Sequence, residues 1–332
     1  MKLSYGQLLA VLFLFRAFAL ICSGMAYSIN QMIGVAVSAV VQFALIIPLI
    51  IIIKAKTFEY DKAKKKGLVF SVYFILFGAM SFKRLLDIMG AGNFSNVKNI
   101  ASVILLAIVC FYCAGFGIHA LGRTAVAVQG LFIFFLAILF IGVYIGIDFS
   151  NFKSVSESDS ITQYAIQDFA SSGEIIAMFV LPAFTADRCG KAIYFYFGLR
   201  LIITEIVSLV GITVLGGVAE LVQYPFFGMC SFSQPFSVQR SDALFVISYA
   251  LICIVNITAD IIISAKFAEC ITKKGRLFSV LLIIAAGLIM GNMESYITEC
   301  IVISIFVVLS YIIVPSMIVK KEKRKGPVTD NV

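Results

Sequence analysis

Ten long apolar segments, each close to the length of a bilayer crossing, dominate this sequence and limit what it can fold into. A helix needs about 20 apolar residues to cross the hydrocarbon. The segments do not alternate polar and apolar residues as the strands of a membrane barrel would, so we predict helices, whose backbone hydrogen bonds are internal. The predicted spans 1 to 10 are 6–27, 32–53, 67–86, 99–118, 125–147, 173–187, 192–218, 242–265, 276–293 and 297–319.

Composition indicates that nearly the whole chain lies in a membrane. Of 332 residues, 61% are apolar and 13% charged, whereas a soluble domain carries roughly 25% charged residues. The first apolar segment is long and lacks a small-residue cleavage site, so we interpret it as span 1 and not as a signal peptide. We predict a single transmembrane domain over 1–320 and a basic cytoplasmic tail over 321–332, with the polar stretch 148–171 as one loop.

The distribution of lysine and arginine predicts the orientation, because cytoplasmic loops are rich in these residues. With the amino terminus inside, 19 basic residues fall in cytoplasmic segments and five in outer segments, while Arg16 and Arg200 lie within spans. The pair Lys83 and Arg84, at the outer end of span 3, is the exception. We predict that both termini are cytoplasmic. The net charge of +8 is then a feature of the membrane surface and not a nucleic-acid-binding face.

The sequence does not indicate an enzyme. A single histidine, His119, excludes a multi-histidine metal site, and there is no nucleophile–base pair and no phosphate-binding glycine loop. Cys110 and Cys113 form a CxxC, but this motif lies within an apolar helix, where cysteine behaves as a small apolar residue. We therefore predict no catalytic residues, no metal site and no cofactor.

Ten spans divide into two sets of five, about 6–147 and 173–319. Because each set has an odd number of spans, the two sets enter the membrane from opposite sides. Many secondary transporters have this inverted-repeat plan, and they bind substrate mid-membrane where one helix of each half is interrupted. Span 6 favours an interruption, since it opens with SSGE at 171–174 and contains Leu-Pro at 181–182. Span 1 has no proline and no mid-span glycine, so its interruption is expected from the repeat alone.

Several segments resemble those of the spore-germination permeases. The most specific pair is QYPFF at 223–227 followed by QRSDALFV at 239–246, which is similar to the YPF and (E/Q)RLDALFV motifs of that family. The other matching segments, in the order of the family along nearly the whole chain, are KLSYGQL at 2–8, GIHALGRTA at 117–125, Gly-Glu at 173–174 with Leu-Pro at 181–182, and Pro315 before a basic tail.

The resemblance implies a role in spore germination. These permeases are the B-type subunits of germinant receptors, a branch of the amino acid–polyamine–organocation superfamily, and they act with an A-type membrane subunit and a C-type lipoprotein. The implied fold is all-α and LeuT-like, with about ten transmembrane helices in a five-plus-five inverted repeat and interrupted spans 1 and 6. The implied location is the bacterial cell membrane or the spore inner membrane, and the implied ligand is a small amino acid.

The candidate ligand-binding residues lie at the two expected interruptions. They are Arg16 and Ala19 in span 1, and Ser172, Gly173, Glu174 and Ile175 at the start of span 6. A charge at bilayer depth costs at least about 2.5–3.5 kcal/mol and needs a partner or a cavity. Glu174 either binds a ligand ammonium or a proton, or stabilises the start of a helix. Arg16 either binds a carboxylate or pairs internally, for example with Glu174 or Asp260.

A second set of polar residues lies in span 8 and at helix ends. Asn256, Thr258 and Asp260 fall within little more than one turn. In LeuT-like folds this helix helps to line a cation site next to span 1, so the three either couple an ion or proton or form a buried hydrogen-bond cluster. The candidates for gating or structural roles at helix ends and in the YPF turn are Arg123, Tyr224, Pro225 and Asp242.

Three functional hypotheses remain open at this point. The first is a germinant-sensing permease subunit that binds an amino acid and signals through its partners. The second is an autonomous ion-coupled amino acid transporter. The third is a scaffold subunit with a decayed pocket, suggested by departures from the family pattern at His119, Val126 and Asn256, which replace two acids and a lysine of the family.

Overall fold

Long apolar helices make up most of the protein. The computed structural model describes residues 2–58, 67–91, 100–154, 160–185, 189–234, 242–269, 274–289, 296–316 and 318–320. Within these ranges, seven helices are long and apolar enough to cross a membrane, and three shorter apolar helices are Ile104–Gly115, Glu174–Phe184 and Gly275–Leu288. The fold is compatible with an α-helical membrane protein, as predicted, while the number ten and the inverted repeat stay predictions.

The elements are numbered in chain order. The helices are α1 (Tyr5–Cys22), α2 (Ile29–Ala55), α3 (Leu68–Ala91), α4 (Ile100–Gly115), α5 (Gly117–Val143), α6 (Asn151–Ser154), α7 (Ile161–Ser171), α8 (Glu174–Val180), α9 (Cys189–Leu215), α10 (Pro225–Phe232), α11 (Asp242–Ala268), α12 (Gly275–Ile289) and α13 (Tyr296–Ser316). Short 3₁₀ helices cover Tyr144–Gly146, Leu181–Phe184 and Gly216–Glu220, and the strands are β1 (Lys56–Phe58) and β2 (Ile318–Lys320).

The structure contradicts three features of the predicted arrangement of spans and loops. Helix α1 is continuous and ends at Cys22, so the interruption expected within span 1 is absent. Only Phe116 separates α4 from α5, and Gly117 after it has a φ of +78°, which glycine tolerates. Residues 119–124, predicted to connect spans 4 and 5, are therefore helical. The stretch 148–171, predicted as one loop, contains α6 and α7.

Helices α1 and α8 lie at the centre of the protein. In α1, 15 of 18 residues are buried, and all seven residues of α8 are buried. A helix buried on every face must be enclosed by other elements, and α1 contacts α5, α8, α9, α10 and α11. Its start is fixed by a capping box: the Gln7 amide donates to Ser4 Oγ at 3.4 Å, and the Ser4 amide donates to Gln7 Oε1 at 2.9 Å.

Short backbone pairings bring distant segments together at one end of the helices. Strand β1 follows α2, strand β2 follows α13, and the two pair antiparallel with Lys56 opposite Lys320. The Leu3 amide donates to the Phe184 carbonyl at 2.9 Å, and β1 contacts the 3₁₀ helix that contains Phe184. The segment before α1 and those after α2, α8 and α13 therefore lie together. The predicted orientation also places these four segments together, on the cytoplasmic side of the membrane.

Helix α2 approaches α7 closely enough to require a glycine. A Cβ at Gly34 would lie 2.7 Å from Tyr164 Cβ and 2.8 Å from the Ile161 carbonyl oxygen. Gly34, Ser38 and Gln42 recur every four residues, so they share one face of α2. This face, which turns toward α7, becomes important at the site.

We expect that Gly34→Ala destabilises the protein, because a methyl group there has no space against the α7 backbone. Overpacking of this kind costs about 1–3 kcal/mol, and the melting temperature in detergent should fall accordingly. Gly130→Ala in α5 is the matched control, since a Cβ at Gly130 meets nothing within 4 Å and alanine favours helix. Equal melting of the two variants would contradict the α2–α7 contact.

The pairing of β1 with β2 predicts that the chain after α2 and the chain after α13 emerge on the same side of the membrane. Alkaline phosphatase and fluorescent-protein fusions after residues 66 and 332 should therefore report the same compartment. A fusion after residue 154 should report the opposite compartment. Helix α5 starts beside Leu3, since a Cβ at Gly122 would lie 2.6 Å from Leu3 Cδ2. From there α5 runs to the other end of the helices, where α6 follows it. Opposite reports from residues 66 and 332 would exclude the strand pair.

Candidate functional site

The interruption between α7 and α8 is the local feature on which the site is built. Helix α7 ends at Ser171, Ser172 leaves helical geometry with φ −89° and ψ 60°, and α8 begins at Glu174. Gly173 occupies the turn, because a Cβ there would lie 2.0 Å from the ring of Phe77 on α3. The interruption predicted in span 6 is therefore present, although a helix and not a loop precedes it.

Two arginines and two carboxylates from four helices meet at this interruption. Arg16 comes from α1, Asp168 from α7, Glu174 from α8 and Arg200 from α9, and none is more than 4% exposed. Arg16 pairs with Asp168, and its Nη1 lies 3.9 Å from Glu174 Oε1. Arg200 Nη2 lies 2.6 Å from Asp168 Oδ2, and Nη1 lies 3.3 Å from Glu174 Oε1. We call these four residues the charge cluster. Each carboxylate contacts both arginines, which offsets the cost of burying the charges.

Neutral side chains of α2 and of the interruption bind the same charges. Gln42 Oε1 accepts a hydrogen bond from Arg200, and its Nε2 donates to Ser172 Oγ at 3.0 Å and to Asp168 Oδ2 at 3.4 Å. Ser172 Oγ accepts from Arg16 at 3.4 Å and from Arg200 at 3.3 Å, while its own hydroxyl donates to the Asp168 carbonyl at 2.6 Å. The interruption is thus held by hydrogen bonds to three other helices.

Three polar atoms of the charge cluster have no hydrogen-bond partner among the described residues: Glu174 Oε2, Arg16 Nε and Arg200 Nε. Glu174 Oε1, by contrast, accepts from the Tyr196 hydroxyl at 2.9 Å. Leaving a buried polar group unpaired costs about 1–3 kcal/mol, and more for a charged group. Each such atom in a native structure therefore needs an explanation, of which an additional bound group is one. The cluster offers one acceptor and two donors to such a group.

The structure brings three of the predicted ligand-binding residues together in this cluster and its hydrogen-bond network: Arg16, Ser172 and Glu174. The predicted contact between Arg16 and Glu174 is present, but the closer partner of Arg16 is Asp168. Arg16 is thus paired internally, which is one of the two alternatives that the sequence left open.

The remaining predicted ligand-binding residues lie beside the cluster. The Gly173 carbonyl accepts from the Tyr73 hydroxyl at 3.4 Å. The Ile175 amide donates to the Ser172 carbonyl at 3.2 Å, which closes the first turn of α8. Ala19 is buried one turn beyond the cluster in α1. These residues shape the interruption through backbone groups and packing.

Asp168 was not among the predicted site residues, because the stretch 148–171 that contains it was predicted to be a loop outside the membrane. That prediction is wrong, because the Ser160 hydroxyl accepts from the Gln163 amide at 3.2 Å, starts α7 and leads Asp168 into the interior. Arg16 and Arg200 both lie inside predicted spans, and buried charges need partners of opposite charge. This requirement could have indicated a second buried carboxylate besides Glu174.

The partners of Arg200 were also missed. Gln42 lies four residues after Ser38 in an otherwise apolar span, which is the signal of a polar stripe on one helix face. Tyr196 precedes Arg200 by four residues, so both lie on one face of α9. Neither pattern shows which other helix these residues contact, because that depends on the fold.

The polar residues of span 8 do not form one hydrogen-bonded cluster. Asn256 Nδ2 donates to the Leu14 carbonyl of α1 at 3.2 Å. Asp260 makes no ion pair with Arg16. Its Cβ lies 3.2 Å from where a Cβ on Gly78 of α3 would be, and neither carboxylate oxygen has a hydrogen-bond partner in the part of the chain that the structure describes. The short distance to Gly78 shows that Asp260 packs against α3. Thr258 is buried.

The candidate gating and structural residues belong to other elements than the four charged residues: α5, the start of α10 and the start of α11. Arg123 is exposed in the second turn of α5, so it does not end span 4 as predicted. Tyr224 precedes α10 and Pro225 is its first residue, which suits a rigid turn because proline needs no amide partner there. Asp242 begins α11, but its side chain, like the tail 321–332, lies outside the described residues.

Comparisons with known proteins give this chain no family. A scan against protein-family models and a search of the curated proteins both found no match. The fold and the site together define a helical protein with the hallmarks of a membrane protein and a buried, charge-balanced cluster at a helix interruption.

We expect Asp168→Asn to destabilise the protein strongly, because Arg16 and Arg200 then share Glu174 alone. Removing one partner of a buried pair costs about 3–5 kcal/mol, which should lower the melting temperature in detergent. Asp148→Asn is the control: Asp148 is exposed, and hydrogen bonds from Ser150 lower the pKa of its carboxyl, so this variant also loses an ionised group.

The double variant Asp168→Asn, Arg200→Gln tests the coupling directly. It restores charge balance, so we expect it to recover part of the stability that Asp168→Asn loses. A double-mutant cycle measures this recovery. Losses that simply add would show that Asp168 and Arg200 are not coupled.

Proposed function

We propose that this chain is a multi-pass membrane protein that binds a small amino-acid-like ligand at the α7–α8 interruption, as the permease-like subunit of a spore germinant receptor. The observation that carries the proposal is the unpartnered Glu174 Oε2, a buried acceptor at the turn between two short helices. Beside it are two guanidinium groups, each with an unpartnered Nε atom.

The chemistry of these free atoms suits a zwitterion. The ammonium group of an amino acid is a charged donor and complements Glu174 Oε2. Its carboxylate is a charged acceptor and complements the Nε groups of Arg16 and Arg200. Hydrogen bonds between ionised partners are roughly twice as strong as neutral ones. A zwitterion also adds no net charge to the balanced cluster, which suits burial at bilayer depth.

The assignment to a germinant receptor is supported by the motifs that resemble the spore-germination permeases. Ser4 and Gln7 of the opening motif form the capping box of α1. Gly173 and Glu174 form the interruption, and Pro225 starts α10. The proposed partners are an A-type membrane subunit and a C-type lipoprotein. The proposed location is a bacterial cell membrane or spore inner membrane, with both termini in the cytoplasm.

A scaffold subunit is the second candidate. It is favoured by the mutual compensation of the four charges, two positive and two negative, which lets the cluster persist without a ligand. In that case the chain would support partner subunits, and the cluster would only join α1, α7, α8 and α9.

Replacing Glu174 by glutamine separates the two candidates. Glutamine keeps an oxygen for the Tyr196 hydrogen bond but removes the charge that an ammonium would bind. We expect the concentration of amino acid that triggers germination to rise about tenfold or more, since a hydrogen bond to a charged group contributes about 1.5–3 kcal/mol. Spore germination and the level of the protein in spores are the measurements.

Glu220→Gln is the control, because Glu220 is an exposed acid at the end of the 3₁₀ helix after α9. An unchanged response in Glu174→Gln spores with normal protein levels would overturn the ligand role, and retained co-purification with A-type and C-type subunits would then support the scaffold. Robust uptake of labelled amino acids by proteoliposomes that contain this chain alone would instead indicate an autonomous transporter.

A further inference from the structure

A cavity of about 90 Å³ lies between α3, α7 and α13, outside the charge cluster. Most of its wall is apolar, formed by Leu76, Phe77, Met80, Ala170, Val302 and Ile303. An apolar cavity of about 150 Å³ holds a benzene molecule. The smaller cavity here therefore suits an aliphatic group of a few carbons.

The charged part of the cavity wall carries both signs. Arg84 on α3 and Glu299 on α13 line it, and Arg84 Nη2 donates to both Glu299 oxygens at 2.9 and 3.0 Å. Their side chains are 14% and 10% exposed, so the pair is largely shielded from solvent. Lys83 also lines the cavity, but its charge is paired with Asp87, with Lys83 Nζ 3.9 Å from Asp87 Oδ2, and Thr298 adds a further polar group. The Arg84–Glu299 pair thus presents one cation and one anion to the apolar space.

The cavity lies at the end of the helices away from β1 and β2. Strand β2 follows the end of α13, whereas Glu299 is in its first turn, and 17 residues of helix span roughly 26 Å. Phe77 forms part of the cavity wall and also packs on Gly173. It stacks on Tyr73, with ring centres 5.8 Å apart, and the Tyr73 hydroxyl donates to the Gly173 carbonyl. One aromatic ring therefore separates the cavity from the α7–α8 interruption.

We propose that this cavity is a second binding site, for an amino acid with an aliphatic side chain. The side chain occupies the apolar cavity, the carboxylate binds Arg84, and the ammonium group binds Glu299. The zwitterion replaces the direct contact between the two residues with two contacts of the same kind. This site stands apart from the proposed germinant role, because it is defined by the cavity and its ion pair alone.

The charges at the cavity select a zwitterion over singly charged ligands. A carboxylate without an ammonium group would bind Arg84 but leave Glu299 beside a like charge, which is unfavourable. An alkylamine would bind Glu299 but leave Arg84 beside a second positive charge, which is equally unfavourable. The small volume excludes the long chain of a lipid. An aliphatic amino acid satisfies the shape and both charges.

Titration calorimetry of the full chain in lipid nanodiscs tests the ligand class. The probes are L-leucine, isopentylamine, which lacks the carboxylate, and 4-methylpentanoate, which lacks the ammonium group. We expect L-leucine to bind at least about tenfold more tightly than either analogue, as one charge-assisted hydrogen bond accounts for a factor of this size. Equal affinities for the three probes, or no binding of L-leucine, would overturn the proposal.

Variants place the binding in this cavity. Met80→Trp fills the space and should abolish the L-leucine binding that remains in the Glu174→Gln chain, whereas Val308→Trp, on the exposed face of α13, should leave it unchanged. Ile303→Phe fills the same cavity if Met80→Trp does not fold. In Arg84→Gln the roughly tenfold preference for L-leucine over isopentylamine should disappear, which the loss of a merely structural ion pair would not cause.

The Glu174→Gln chain distinguishes this site from the charge cluster. L-leucine binding that persists in Glu174→Gln and disappears when Met80→Trp is added to that chain supports the cavity, whatever the outcome of the germination experiment. Binding that disappears in Glu174→Gln but persists in both cavity-filling variants assigns the ligand to the cluster and overturns the cavity site.

Discussion

Two buried arginines that water cannot reach must be neutralised by the protein itself, and much of the described structure follows from that constraint. Asp168 and Glu174 are six residues apart. In a continuous helix they would lie about 9 Å apart along the axis and on different faces. The interruption at Ser172 and Gly173 removes this separation, so both carboxylates contact both guanidinium groups. The irregular backbone at Ser172 and Gly173 is thus what allows the two carboxylates to balance the two arginines.

The neighbouring helices are shaped to accept this irregular segment. Gly34 lets α2 approach α7, and Gln42, two turns further along the same face, reaches the charges. On the other side, Gly173 leaves room for Phe77, whose neighbour Tyr73 binds the carbonyl that the turn exposes. Close packing and hydrogen bonding therefore act at the same few positions. The interruption is enclosed from the α2 side and from the α3 side.

The sequence predicted the helical membrane class and most helix positions, because apolar length is a local property that needs no knowledge of the fold. It also predicted an interruption at Gly173 from local glycine and serine content. It did not predict that α1 is continuous, since that expectation came from a repeat and not from the residues of span 1. Asp168 was missed because its short helix is polar at its start and resembles a loop. The partners of Arg200 depend on which helices become neighbours, which no local pattern specifies.

The separation of the cluster along the chain has a consequence for biosynthesis. Arg16 and Asp168 are 152 residues apart, and a ribosome that adds about 5–20 residues per second needs roughly 8–30 s to cover that distance. During this interval the first helix is already made, while the carboxylates that neutralise its arginine do not yet exist. The ion pairs that hold the first helix at the cluster can therefore form only after α7 and α8 have been translated.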